Sequence, residues 1–163
     1  MAQQPTSERV APMGLGATDG QAHELTVIVP LKPGGAEMVR EALKHRGSDE
    51  ARRRRDAMGT LHDMRVVLFD NDTRMLFATV FDGTWDNYID DFATKMPDQL
   101  DALFAGMEGY PGIHDPNIKD YIRKYQVEAA EFYSAYPDAT VKQLKKGQRV
   151  LRAWEELLDT AAE

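Results

Sequence analysis

Residues 60–83 read TLHDMRVVLFD, then NDTRM, then LFATVFDG, and this stretch decides the fold. Two apolar arms around a polar break spell a β-hairpin. Asn71 and Asp72 tolerate the left-handed backbone that hairpin turns demand, and Asp70 can hydrogen-bond to its own backbone there. Alternation puts Leu61, Asp63, Arg65, Val67 and Phe69 on one face of the first arm, and His62, Met64, Val66 and Leu68 on the other. The second face is the more uniformly apolar and is expected to lie under helices. The first mixes an acid and a base with apolar neighbours, as a pocket-lining face does.

Upstream, ELTVIVPL (24–31) alternates like a strand, with Pro30 at its exit. Ala36, Val39 and Leu43 mark an amphipathic helix to about Arg46, ended by Gly47. Ser48 caps a second helix, DEARRRRDAM, with Gly59 past its end. Residues 1–22, with Pro5, Pro12 and three glycines, read as a flexible arm ahead of one domain over 23–163.

Downstream, Thr84 is placed as an N-cap for Trp85, Tyr88, Ile89 and Phe92, and Pro97 opens a further helix through Leu100, Leu103, Phe104 and Met107. GYPGIHDP is a loop, and Ile118, Tyr121, Ile122 and Tyr125 have helical spacing. In VEAAEFYSAYP the alanines permit helix while Phe132, Tyr133 and Tyr136 favour strand. Topology tips the choice: the preceding elements spell βαββα, so a strand over 127–136 would complete two interlocked split β-α-β units. Val141, Leu144, Leu151, Trp154 and Leu158 define a terminal helix capped at Asp138 or Thr140, with Gly147 as its weak point. The expectation is an α+β, ferredoxin-like βαββαβ domain with a four-stranded antiparallel sheet, extra helices and a C-terminal helix.

The 163 residues suffice for one core, and an apolar share of 42% is that of an ordinary globular chain. With 27 acids against 20 bases the formal charge is −7, which argues against general nucleic-acid binding. No cysteine is present, so disulfides, thiolate catalysis, iron–sulfur clusters and thiolate-held zinc or haem are excluded. No signal peptide or membrane-length apolar run is visible, and a cytoplasmic location is expected.

The element order, and the string LHDMRVVLFD with MLFATVFDG, resemble the dimeric α+β barrel superfamily. More narrowly they resemble a bacterial branch in which a His-x-x-Arg strand pairs with one ending Phe-Asp-Gly. Those positions are His62, Arg65, Phe81, Asp82 and Gly83 here; Asp63 stands where the branch has an aromatic. The resemblance implies cofactor-free monooxygenases, lactone isomerases, haem-degrading enzymes, chlorite dismutases and dye-decolourising peroxidases as relatives. It also implies face-to-face sheets in a homodimer and a ligand pocket beside the sheet. The expected activity is oxygenase-like or isomerase-like, on an aromatic or polyketide-like substrate. The alternatives are a haem-binding peroxidase-like protein and a non-catalytic ligand-binding or interaction protein.

For catalysis the candidates are His62, Arg65 and His114; Asp63, Phe81, Asp82 and Tyr133 are candidates for substrate binding. A guanidinium binds planar oxyanions in two-pronged fashion, so Arg65 suits a carboxylate or enolate; its rival role is an ion pair with Asp63. His62 and Arg65, three apart, point to opposite faces of a regular strand and share a pocket only across a bulge. His62 is a candidate acid/base or a satisfied core histidine. His114, in the loop, is a candidate acid/base, an axial haem ligand or an exposed residue. Asp82, Asp86, Asp90 and Asp91 suit a metal or a helix N-terminus. Arg52–Arg55 suit an anionic ligand or a solvated helix turn.

Overall fold

The computed structural model describes residues 16–44 and 46–162. Among them lie β1 (Thr18–Asp19), β2 (Ala22–Pro30), α1 (Gly35–Leu43), α2 (Asp49–Met58), β3 (Leu61–Phe69), β4 (Arg74–Asp82), α3 (Trp85–Lys95), α4 (Pro97–Phe104), α5 (Ile118–Tyr125) and α6 (Val141–Ala162). The strands make one antiparallel sheet in the order β1-β2-β4-β3. The fold is a mixed α+β one.

The hairpin forms as its turn chemistry dictates. Asp70, Asn71 and Asp72 all adopt positive φ (51°, 53° and 65°), a conformation that Asn and Asp tolerate better than other side chains. Arg40 of α1 donates to both oxygens of Asp72 at 2.7 and 2.6 Å, tying the tip of the hairpin to the helix layer. β4 sits between two paired neighbours, and Met75 and residues 77–82 are buried, as an almost unbroken apolar run requires.

The helices pack on one face of the sheet, against Leu25, Val27 and Val29 of β2 and Met75, Phe77 and Phe81 of β4. Local chemistry sets their ends. Ser48 Oγ accepts from Ala51 N at 3.2 Å, Thr84 Oγ1 from Asn87 N at 3.3 Å, and Pro97 occupies the first turn of α4. Thr140 and Gln143 cap α6 reciprocally, Gln143 N donating to Thr140 Oγ1 and Thr140 N to Gln143 Oε1. Gly35 and Gly106 meet back to back: a Cβ on either would strike the other's carbonyl oxygen, so this contact admits no side chain.

Two expectations are corrected. Residues 127–136 form neither strand nor helix, and the strand order is not the ferredoxin order. The outer edge of β2 is divided instead. Thr18 and Asp19, expected within a flexible arm, pair with His23 and Ala22, while Val27 makes a single bridge to Gln126. Residues 1–15 of the expected arm lie outside the described residues.

Glu24 joins the two halves of that edge. It is 4% exposed, and its carboxylate accepts from Ala17 N (3.3 Å), Ala129 N (3.1 Å) and Thr26 Oγ1 (2.8 Å). A side chain here satisfies backbone donors that a paired strand would otherwise satisfy. Glu24→Leu leaves those donors without an acceptor and should cost about 2–4 kcal/mol. Urea denaturation checks the loss, and hydrogen exchange should show amides 127–129 losing protection first.

Candidate functional site

The β3–β4 register shifts at the start of β3: Leu61 faces Phe81 and Asp63 faces Val80, leaving His62 as the extra residue of a bulge. Leu61 therefore joins the helix-covered face, a correction to simple alternation. His62 is carried to the opposite, open face, where its Nε2 lies 2.7 Å from Asp82 Oδ1. Asp82 Oδ2 accepts from Val141 N at 2.7 Å, so one buried carboxylate joins the bulge to the start of α6. The bulge thus sets His62 on the same face as Asp63 and Arg65.

The other expected residues are not gathered there. Arg65 and Asp63 have side chains 66% and 53% exposed and lie 3.8 Å apart. The ion pair with Asp63 is an exposed one within the chain, and such a pair contributes at most about 1 kcal/mol. Phe81 is in the core, stacked on Tyr88 at 3.9 Å between ring centroids. His114 is exposed in its loop, and Tyr133 is 78% exposed. The acids are engaged one by one: Asp86 and Asp90 with Lys119 at 3.1 and 2.9 Å, and Asp91 with Lys95 at 2.9 Å.

The apolar cavity between sheet and helices, lined by Val27, Phe77, Phe104 and Ile122 among others, measures about 30 Å³, far below a porphyrin. His62 already spends its Nε2 on Asp82, and His114 faces outward.

A second constellation was not assembled from sequence. Between α1, α2, α4 and β3 lies a cleft of about 230 Å³. Leu43, Met64, Met96, Leu100 and Leu103 contribute its apolar lining; Arg46, Arg54 and Arg55 also line it. Arg54 is paired with Glu50 at 2.6 Å. Arg46 and Arg55 donate to the carbonyl oxygens of Leu43 (3.3 Å) and Arg46 (2.7 Å), and among the described residues neither has a carboxylate within ion-pair distance. Gln99 also lines the cleft, and its Oε1 is buried without a hydrogen-bond partner. The run Arg52–Arg55 is thus divided: Arg52 and Arg53 are exposed, while Arg54 and Arg55 are half-buried at the cleft. One signal was readable: Ala51, Arg54, Arg55 and Met58 share a helical face, so two arginines ride on the buried side of α2.

His23 faces Phe81 across the β2–β4 pair, one residue from Asp82, and stacks on the Phe81 ring at 5.7 Å. Its Nδ1 is buried without a partner. Burial holds its imidazole below the ordinary histidine value, and the negative charge of Asp82 opposes that shift only in part. The unfolded chain therefore takes up this proton before the folded one does. Its contribution to stability is complete above about pH 6.5 and declines as the pH falls from there toward the folded value. His23→Phe should flatten that part of the stability–pH profile, measured by denaturant midpoints between neutral and mildly acidic pH.

No protein-family model matches this chain, and no curated protein matches it.

Proposed function

We propose that the protein binds a small amphipathic anion in the cleft between α1, α2, α4 and β3. The observation that carries this reading is the unpaired Gln99 amide oxygen at a largely apolar cleft alongside Arg46 and Arg55, which among the described residues have no carboxylate partner. A ligand pocket combines an apolar lining with a few convergent polar groups, and a buried polar atom without a partner marks where a ligand group belongs. The apolar lining takes an aliphatic or aromatic body, Gln99 orients it, and the guanidinium groups take a carboxylate, sulfonate or phosphate head. On this reading the protein is a small-molecule binder on a ferredoxin-like scaffold of the dimeric α+β barrel type. The scaffold assignment is supported by the antiparallel β2-β4-β3 core and by Gln126 bridging Val27 on the free edge of β2.

A catalytic reading has its own support in the His62–Asp82 contact at 2.7 Å, a base beside an orienting carboxylate, with Arg65 on the same face. In it the ligand is turned over by oxygenase-like or isomerase-like chemistry, and Arg65 stabilises developing negative charge. Arg65→Met should move stability by less than about 1 kcal/mol. A thermal melt unchanged in step with lost turnover of an aryl ketone supports this role; unchanged turnover removes Arg65 from it.

The binding reading is tested by titrating methyl-labelled protein with octanoate and with octanol while following Met64 and Met96. Both methyl groups should shift with octanoate. Arg46→Gln combined with Arg55→Gln should weaken octanoate about tenfold or more, equivalent to about 1.4 kcal/mol, and leave octanol unchanged. Equal affinity for the two probes, or silent Met64 and Met96 signals, would overturn it.

A further inference from the structure

α6 is 22 residues long, about 33 Å, yet among the described residues only its start is buried against the domain. Val141 is buried, Leu144 is half-buried, and Lys145 meets Asp56 at 2.9 Å. Residues 146–161 are all exposed. That exposed length carries Val150, Leu151, Trp154, Leu157 and Leu158, each between 51% and 61% exposed. Leu144, Gly147, Leu151, Trp154, Leu158 and Ala161 alternate in steps of three and four, the seam of a two-helix coiled coil.

The charges of α6 are arranged against its own dipole. Lys142, Lys145, Lys146 and Arg149 fill the first half, where a lone helix favours acids, and Arg152 lies just past the middle. Glu155, Glu156 and Asp159 fill the second half, where it favours bases. No acid stands in the first turn and no base in the last. Such a gradient destabilises a solitary helix and is neutralised by a second helix running the other way.

We propose that α6 pairs antiparallel with α6 of a second copy of this chain. The basic half of each then lies along the acidic half of the other. Setting Leu151 opposite Trp154 of the second copy places Gly147 opposite Leu158 and Leu144 opposite Ala161, so large residues meet small ones in the layers that flank the central Leu–Trp contacts. Val150 and Leu157 close one flank. A parallel pair would set base against base and glycine against glycine. Gly147 fits this arrangement: a Cβ there would meet nothing within 4 Å in the chain itself, so no internal contact calls for glycine at this helical position. Covering the five apolar residues in both copies removes on the order of 1,000 Å² from water, which reaches the floor for a specific interface. The homodimer expected from the sheet face thus forms through the terminal helix, independently of ligand binding in the cleft.

Sedimentation equilibrium of the full chain at micromolar concentration should give twice the 18.4 kDa chain mass. Leu151→Glu with Trp154→Glu should give the single-chain mass, with the cooperative melt of the domain retained, because those side chains touch nothing in it. The chain has no cysteine, so introduced thiols report geometry directly. Gln148→Cys protein mixed with Glu155→Cys protein should form a disulfide-linked heterodimer under mild oxidation, and Gln148→Cys protein alone should not self-link. A dimer that survives Leu151→Glu with Trp154→Glu would overturn the proposal in favour of the sheet face. Self-linking of Gln148→Cys would overturn the antiparallel sense. A monomeric wild-type chain would overturn it outright, and binding of that monomer to phosphatidylglycerol vesicles would assign the helix to a lipid surface. Octanoate shifts at Met64 and Met96 should persist in the monomeric variant, so this test and that of the cleft fail separately.

Discussion

The rest of the structure depends on the aromatic face of β4. Phe77 meets Phe92 of α3 and Phe104 of α4 edge to face, with ring centroids 6.2 and 5.0 Å apart, and Phe81 stacks on Tyr88 of α3. Each ring buries on the order of 150–250 Å² and fixes the angle at which its helix can approach. Two residues on one strand therefore set the position of two helices. Those helices in turn define one wall of the cleft, through Met96, Leu100 and Leu103. The strand keeps both paired neighbours because its own sequence is too apolar to tolerate an exposed edge.

At the free side of β2 a different economy holds. A fourth long strand would satisfy every outward-facing backbone group by a regular ladder. Here β1 serves residues 22 and 23, Gln126 serves Val27, and the Glu24 carboxylate takes up donors from both sides. Gln21 N also donates to Pro137 O at 2.6 Å, and Ser134 N to Asp19 Oδ2 at 2.9 Å, so the irregular segment after α5 is held without strand geometry. The aromatic residues that suggested a strand there, Tyr133 and Tyr136, stand exposed rather than packed.

Charge in this chain serves two ends. Two acids of α3 are consumed in docking: Lys119 of α5 bridges Asp86 and Asp90, and Arg123 lies over the Trp85 ring at 4.6 Å. These contacts seat α5 and leave little charge there for chemistry. Arg46 and Arg55 in the cleft, and most of the charges of α6, are among the groups that have no ion pair within the described residues. Our functional proposals rest on those two groups, one beside a concave apolar surface and the other along a helix that is exposed among the described residues.

By itself the sequence determined what local physics controls. Turn residues 70–72, the caps Ser48, Thr84 and Thr140, Pro97 and the alternation of β2 and of β3 from Asp63 onward each act within a few residues, and each appears in the structure where its chemistry requires. The apolar spacing of α6 was equally plain, though not that the helix would be left uncovered. Tertiary structure alone decided three things. A one-residue bulge turned His62 away from the helices and onto Asp82, a choice set by pairing register and invisible to alternation. The edge of β2 went to a two-residue strand and a glutamate because Thr18, Asp19 and Glu24, distant in sequence from 126–129, reached it together. The cleft drew its residues from four elements between positions 42 and 103, and no short-range pattern encodes a concavity formed by the packing of separate helices on one sheet.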